Sequence, residues 1–495
     1  MHLLYLFFLP SITSSSRNAY VTMHYEGTSR DDEYVLGISV LMQSLQLSNT
    51  DADLLVILSP SVSHATRLHF TKIGCKIQML DNIKNPYAHN LTNPNFLYTL
   101  NKLHIWNLVE YDSIVYLDAD NLILRNADEL FTCPNMCAVF MNPCHFHTGL
   151  MVITPDHEEF LKLLSELHIK SSFDGADQGF LSAVYSSMLK NAPLFMPANS
   201  TKMEVQRYTK SQGRRLSGGY NLNHKYFYEQ FHWHLFHVWH FGELTSSNST
   251  IPVVVPRAQS IPALTLGFPM APVLKPWYWY AAFILDIHWV WQDVRNTVPH
   301  HVALFTEGMM VVAGIKACGV MMLLALACSA IPTWMFTTTW FHKGLVTVTA
   351  TRSTVTGLLR TILVIGTYWI AFKQVPALAT ATQGVMLFIL LQHLWMILIR
   401  GVFSNYLNVS NTKMPLTWTI PAVYRLETFW HQVLLSMLSA WCIVVVSCCG
   451  LHYNMIWKMI VLAVLSALFV WKQSELLLST VIDVPKRERN GSHLA

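Results

Sequence analysis

The apolar and polar positions divide the chain into two unlike halves. Between residues 20 and 260, acids and bases are mixed among short apolar periods. From about Met309 to Val481, apolar stretches follow one another with only short polar loops between them. In the first half AYVTMHY (19–25) predicts a strand. EYVLGISVLMQSLQLS (33–48) sets Val35, Leu36, Ile38, Ser39, Leu41, Met42 and Leu45 at helical spacing. DLLVILS (53–59) is apolar without alternation, the pattern of a strand buried on both faces. A helix near 61–73, a strand CKIQML (75–80), an Asn- and Pro-rich loop (85–95) and a helix YTLNKLHIWNLV (98–109) lead to the run DSIVYLDADNLIL (112–124). Strand–helix alternation of this kind predicts an α/β domain with a mostly parallel sheet. In such folds ligands sit at the carboxyl ends of the strands.

That last run breaks its own pattern. Ile114–Leu117 is a buried-strand sequence that ends in two carboxylates, Asp118 and Asp120, separated by Ala119. Residues i and i+2 of a strand point to one side, so the two acids are expected to converge with Ala119 turned away. Converged carboxylates repel unless a positive charge lies between them, and oxygen donors suit Mg²⁺ or Mn²⁺. Such an ion can take up two phosphates and neutralise a departing diphosphate. A solvated turn with two incidental acids is the plainer alternative, weakened by the buried run before it. Asp174 and Asp177 form a second acidic pair, in a loop whose glycine allows close approach to a ligand. Asp177 also suits the N-cap of a helix QGFLSAVYSSML.

The second half holds five stretches long enough to cross a bilayer, near 309–332, 356–373, 380–399, 430–450 and 455–475. Lys343 and Arg352, then Arg400, Lys413 and Arg425, then Lys486, Arg487 and Arg489 mark the loops and tail expected on the cytosolic side. The first half then lies on the opposite, lumenal side. Leu3–Leu9, followed by a small polar run to Ser16, reads as a signal peptide and requires the same side. The expected domains are a signal peptide at 1–17, a first domain at 18–282, a juxtamembrane linker at 283–305, a membrane domain at 306–482 and a basic cytosolic tail at 483–495.

Composition agrees with this division. The 495 residues are 52% hydrophobic and 13% charged, against roughly 25% charge in a soluble globular chain. A net charge of +4 without a basic aromatic stripe gives no argument for nucleic acid as a partner. Lumenal placement makes the sequons at Asn90, Asn199 and Asn248 acceptors for glycans. Cys133, Cys137 and Cys144, followed by His145 and His147, allow a disulfide, a zinc site or free buried thiols; an oxidising lumen favours the disulfide.

YLDADNLIL, with AYVT and YVLGISVLMQSL upstream and LNKLHIW before it, then HTGLMVITP (147–155), DGADQGF (174–180), GYNLN (219–223) and LKPWYWY (274–280), resembles glycosyltransferase family 8 in its glycogenin-like branch. Within that branch the set, followed by several spans, is similar to plant glycogenin-like starch initiation proteins of the glucuronosyltransferase type. The resemblance covers about residues 18–282. It implies a GT-A (Rossmann-like) α/β glycosyltransferase domain, here followed by an α-helical multispan membrane domain. It also implies a UDP-sugar donor, Mn²⁺ or another divalent cation, and retention at the anomeric carbon. By motif, Asp118 and Asp120 would hold the metal, with Ala119 between them; Tyr20 and Thr22 would line the nucleotide site. Lys102 and Lys275 would steady the diphosphate, since lysine is a point-charge partner for phosphate. Asp177, Gln178 and Asp174 would face the reacting sugar, with Thr148, Gly149, Tyr220, Asn221 and Gly267 nearby.

Two positions depart from the family pattern. The third metal ligand is expected from a His just before Gly-X-X-Lys-Pro-Trp, and the matching stretch ALTLGFPMAPVLKPW (263–277) has none. His240 could substitute, although a His- and Trp-rich surface segment (231–240) explains it more simply. His147 stands where Asn is usual, which touches the acceptor side rather than the fold. The aromatic run KPWYWYAAFILDIHWVW (275–291) suits a membrane interface. Together the halves predict a Golgi-type enzyme of the secretory pathway. It would move a hexosyl or hexuronosyl unit, glucuronic acid among the candidates, to a lipid or membrane-proximal glycan such as an inositol phosphosphingolipid, with the bilayer as partner. The alternatives are a glucan-priming enzyme, a polysaccharide-decorating enzyme, and a non-enzymatic membrane scaffold with a decayed transferase domain.

Overall fold

A computed structural model describes residues 17–91, 96–140, 145–190, 192–195, 213–223, 263–269, 274–285, 287–299, 362, 364–412, 464 and 468 of the chain. The chain divides into two units, one of Met1–Met270 with Thr297–Val302, the other of Ala271–Asn296 with Ala303–Ala495.

The first unit opens with β1 (Asn18–His24), α1 (Asp31–Leu47), β2 (Asp53–Leu58), α2 (His64–Lys72) and β3 (Lys76–Met79). Helix α1 carries Asp31, Asp32 and Glu33 in its first turn, where acids complement the helix dipole. Helix α2 is capped by Ser63, whose hydroxyl accepts the Thr66 N–H. The segment expected as a helix at 98–109 is a 3₁₀ coil, Thr99–Asn107. It is buried along most of its length, with Asn101 and Lys102 enclosed as fully as Leu100 and Leu103. There follow β4 (Ser113–Leu117), β5 (Asn121–Ile123), β6 (Met136–Phe140), β7 (Phe146–Ile153), α3 (His157–Glu166), α4 (Asp177–Lys190), β8 (Arg214–Leu216), β9 (Leu222–Asn223) and β10 (Thr265–Gly267).

Seven strands form one sheet in the order β3-β2-β1-β4-β7-β6-β8. The first four are parallel, and β6 and β8 run in the same direction; β7 is reversed, antiparallel to both β4 and β6, so the sheet is mostly parallel, as expected, with one reversed strand. Phe140 and Phe146 are too close in sequence for the dozen or more residues that a parallel crossover needs, so β6 and β7 must return antiparallel. A second sheet, β5-β10-β9, sets Gly267 opposite both Asn121 and Asn223. One apolar core, with Val21, Ile57, Tyr116, Met151, Phe146 and Phe180 among its members, joins the large sheet to its helices. Cys133 and Cys137 form a disulfide; Cys144 lies outside the described residues.

In the second unit, α5 (Ala281–Ile284) and α6 (His288–Thr297) accompany helical residues 364–374 and α7 (Ala381–Thr412). Trp279 packs against Phe372 and Phe388, with ring centroids 5.5 and 5.6 Å apart. A side chain at Gly384 would run into the Trp279 ring. The buried Arg295 guanidinium donates to the carbonyls of Ala379 (3.0 Å) and Leu378. Lys275–Tyr280, expected in the first domain, and the start of the expected linker at 283–305 therefore pack here. Ile365, Trp369 and Ile370 on helix 364–374, and Met386 and Leu390 on α7, are exposed. Among the described residues, no helix is long and apolar enough to cross a membrane. The expected spans at 309–332 and 430–450, nearly all of that at 455–475, the tail at 483–495, residues 1–16 of the expected signal peptide and the sequons at Asn199 and Asn248 lie outside the described residues.

Candidate active site

Strand β4 stops at Leu117, and Asp118 opens a turn closed by the Asn121 N–H on the Asp118 carbonyl at 3.0 Å. The two carboxylates thus stand on the turn between β4 and β5, at the carboxyl end of β4. The alternation survives: Ala119 is buried, while Asp118 and Asp120 are half-buried. The turn is tied to β7, because the Gly149 carbonyl accepts both the Asp118 N–H (2.9 Å) and the Asn121 side-chain amide.

Lys102 lies at the centre. Its ammonium is 2.6 Å from Asp177 Oδ2 and 3.1 Å from Asp118 Oδ1, and donates to the Thr148 carbonyl at 3.2 Å. It also sits 4.8 Å from the centre of the Tyr116 ring, whose hydroxyl donates to Asp118 Oδ1 at 3.0 Å. Burial opposes the charge on Lys102, yet Asp118 and Asp177 outweigh it and hold the amine above its ordinary pKa. Burial likewise opposes ionisation of Asp177, but Lys102 and the Thr148 hydroxyl hold it below the usual carboxylate range. Asp118 moves the other way: burial raises it, and the charges of Asp120 and Asp177 offset the help from Lys102. The diphosphate role expected for Lys102 therefore starts from a lysine already shared by two acids.

The loop before α4 divides the work of its acids differently from expectation. Asp174 supplies the cap: its Oδ1 accepts the N–H groups of Ala176 (2.9 Å) and Gly179 (3.0 Å) and the Ser172 hydroxyl. Asp177 is thereby released from capping and turns its carboxylate to Lys102 and the Thr148 hydroxyl (2.8 Å). Gln178 staples α4 to β7, accepting the Thr148 N–H at 2.9 Å and donating to the Phe146 carbonyl.

Above the Asp118 turn, the His147 ring folds over Gly149. Its Nδ1 accepts the Gly149 N–H at 2.9 Å and lies 3.2 Å from the Asn221 amide nitrogen. A β-carbon on Gly149 would fall 2.7 Å from His147 Nδ1 and 2.9 Å from Asp118 Oδ2, so only glycine lets ring and carboxylate share this face. Burial pushes His147 below its ordinary pKa against the pull of Asp118 and Asp120. Gly267 likewise leaves room between the side-chain oxygens of Asn221 and Asn121, which a β-carbon there would approach to 2.9 and 3.0 Å. The Asn221 oxygen is buried and has no hydrogen-bond partner among the described residues.

The other expected residues have settings of their own. Tyr20 is fully buried and donates its hydroxyl to Asp128 at 2.9 Å. Thr22 is buried two residues on, its hydroxyl without a hydrogen-bond partner among the described residues. The hydroxyl of Tyr220 goes to Glu129 at 2.7 Å. Lys275 belongs to the second unit, buried with its ammonium 5.7 Å from the centre of the Trp277 ring. His240 lies outside the described residues. Sequence reasoning missed Tyr116, Asn121, Tyr25 and Tyr34. Burial raises Tyr25, and Asp177 and Asp118 are near enough to raise it further. Burial also pushes Tyr34 up to about 12, with Asp120 contributing. Tyr116 carried a signal: a tyrosine in a buried strand needs a partner for its hydroxyl, and the nearest polar group on its side is Asp118.

Among the described residues no group of three or more His, Cys, Asp or Glu is arranged to hold a metal. The donor set nonetheless fits an oxygen-preferring divalent cation: Asp118 engages Lys102 and Tyr116 through Oδ1, Oδ2 faces the space above Gly149, and Asp120 follows on the same turn. A cation bound through two carboxylates keeps its remaining positions for water and substrate phosphates.

Residues 28–141, which include Tyr34, Lys102, Tyr116, Asp118 and Asp120, match the model of Glycosyl transferase family 8. The chain is 38% identical over 286 residues to "Putative glucuronosyltransferase PGSIP7" of Arabidopsis thaliana, covering 57% of this chain and 51% of that protein. It is also 38% identical to "Putative glucuronosyltransferase PGSIP8" of the same plant, with the same coverage. To "Inositol phosphorylceramide glucuronosyltransferase 1" of Arabidopsis thaliana it is 28% identical, over 57% of this chain and 47% of that one. The chain spans about half the length of these curated relatives. It resembles family 8 and, within it, proteins of the glucuronosyltransferase type, as its motifs led us to expect.

Proposed function

We propose that the first unit is the catalytic domain of a metal-dependent, retaining glycosyltransferase that takes a hexosyl or hexuronosyl unit from a UDP-sugar. The observation that carries this reading is the turn at the carboxyl end of β4. Two half-buried carboxylates stand there, one of them bridged through a buried lysine to a third carboxylate on α4. Asp118 and Asp120 would hold Mn²⁺ or a similar cation. Once bound, it would neutralise the diphosphate as it leaves. Lys102 keeps Asp177 ionised and fixed, so a negative charge is maintained where positive charge develops at the anomeric carbon. Thr148 and Gln178 hold that carboxylate against β7. Tyr25, just past β1, and Tyr34 of α1 would close the nucleotide side.

The acceptor in this reading is a membrane-associated molecule, a lipid or a glycan held near the bilayer. Two observations support it. The relatives include one named for inositol phosphorylceramide. The second unit carries exposed Ile365, Trp369, Ile370, Met386 and Leu390 on two helices, which suits lipid contact. The reading includes a multispan membrane domain, a lumenal Golgi-type location for the first unit and a cytosolic C-terminus, on the loop charges and the leading apolar segment.

The test is turnover of UDP-glucose and UDP-glucuronate by the full-length protein in lipid, with Mn²⁺ and with chelator, beside Asp120→Asn. Metal-dependent turnover of one donor, lost in the variant, is expected. Absence of both turnover and Mn²⁺-dependent UDP binding would overturn the reading.

A further inference from the structure

We propose that His147 is a specificity-determining residue of the donor site: a neutral imidazole locked in one tautomer, whose Nε2–H donates to an anionic oxygen of the bound sugar nucleotide. The inference deepens the transferase reading and rests on it.

The argument begins with the ring's other nitrogen. His147 Nδ1 receives the Gly149 backbone N–H at 2.9 Å, a donor whose hydrogen has no freedom to turn away. The Asn221 side-chain nitrogen lies 3.2 Å from the same atom. Asn221 is itself buried. An imidazole nitrogen that accepts an N–H carries a lone pair, so in the neutral ring the proton belongs to Nε2. The backbone therefore chooses the tautomer, and the ring offers one N–H donor from its opposite edge. Gly149 makes this possible, since a β-carbon there would collide with the ring.

The setting explains why such a donor would matter. Asp118, Asp120 and Asp177 make the site acidic, and Lys102 is already shared between Asp118 and Asp177. An anionic oxygen entering this site needs donors that are not consumed by the protein's own acids. His147 is half-buried and flanks the same face above Gly149 as Asp118 Oδ2, so its free edge is available to a ligand lying on that turn. Two groups of a sugar nucleotide carry anionic oxygens: the diphosphate, and the carboxylate of a hexuronosyl unit.

The experiment measures binding of UDP, UDP-glucose and UDP-glucuronate to the full-length protein in lipid with Mn²⁺, for wild type, His147→Phe and His147→Gln. Thermal unfolding verifies that the variants fold. A hydrogen bond to a charged group is worth about a tenfold to hundredfold change in affinity. We expect His147→Phe to lose that much, with partial recovery in His147→Gln, which restores an N–H donor. Loss confined to UDP-glucuronate assigns the bond to the hexuronosyl carboxylate; equal loss for all three assigns it to the diphosphate. Independently of any ligand, histidine-labelled ¹⁵N spectra should show His147 Nδ1 unprotonated. Folded variants that bind all three ligands like wild type, or a protonated Nδ1 in the neutral ring, would overturn the proposal while leaving the transferase reading intact. A wild-type protein that binds none of the three would instead remove the reading on which it rests.

Discussion

Replacing Lys102 by Met removes the cation held between Asp118 and Asp177 while keeping most of the side-chain volume. The Lys102 and Asp177 side chains are 3% and 8% exposed, so their contact is shielded from solvent; Asp118 is 34% exposed and can be rehydrated. The penalty therefore falls mainly on Asp177, left as a buried charge with the Thr148 hydroxyl as its remaining described side-chain partner apart from Thr99. Breaking a buried pair by deleting one partner costs about 3–5 kcal/mol. The pH dependence follows from the two shifts. Asp177 is depressed in the folded protein, so the stability it contributes is present above the unfolded carboxylate pKa and is lost as pH falls through its lower folded value. Lys102 is raised, so its contribution is complete below the unfolded lysine pKa and is lost only as pH rises through the folded value. Neither titrates between pH 5 and 8, so the wild-type pair is insensitive to pH there. In Lys102→Met the sign for Asp177 reverses: burial without a cation raises its pKa, and the variant regains stability as the pH is lowered and the acid takes up a proton. Hydrogen exchange of peptides covering 99–107 and 146–153, in the full chain at pH 7 and pH 5, measures the local opening free energy. We expect a large loss at pH 7, a smaller one at pH 5, and near-complete rescue by Lys102→Met with Asp177→Asn. A loss below about 1 kcal/mol, the range of an exposed pair, or a loss equal at both pH values would refute the argument that this is a buried, charge-compensated pair.

Gly149→Ala should destabilise the first unit by about 1–3 kcal/mol as an overpacked site. It should also weaken sugar-nucleotide binding, because the new methyl must displace His147 or the Asp118 carboxylate; denaturant unfolding and a binding isotherm on the same variant test both effects. Tyr20→Phe should cost about 1 kcal/mol through loss of the hydrogen bond to Asp128, which keeps Thr50 as a donor. Its UDP affinity should be unchanged; a variant of wild-type stability with weakened UDP binding would instead put Tyr20 in the nucleotide site.

Where a local pattern decides, the sequence was sufficient. The apolar run of β2, the helical spacing of α1 and the strand leading to Asp118 all occur within a residue or two of their expected places, because burial on one face or two leaves its own periodicity. The family resemblance was legible for the same reason: its motifs are short contiguous stretches. The 3₁₀ winding of Thr99–Asn107 was not legible, since the segment has the apolar content of a helix. Asp174 and Asp177 show the limit inside one loop. Both are acids before a helix, and the sequence offered the cap to Asp177; the structure gave it to Asp174.

The partners of charged groups belong to this second class. Nothing local to Lys102 says that it meets Asp177, 75 positions along the chain, or that Asp118 completes the trio. The sequence by itself determined the elements, the two unlike halves and the chemical types available, because propensity and hydrophobic period act over a few residues. The tertiary structure alone decided the meeting of Lys102 with its two acids, the tie between the Asp118 turn and Gly149, and the placing of Asn221 beside His147. Each of these depends on which distant backbone groups and charges come within about 3 Å, where hydrogen bonds and buried ion pairs act.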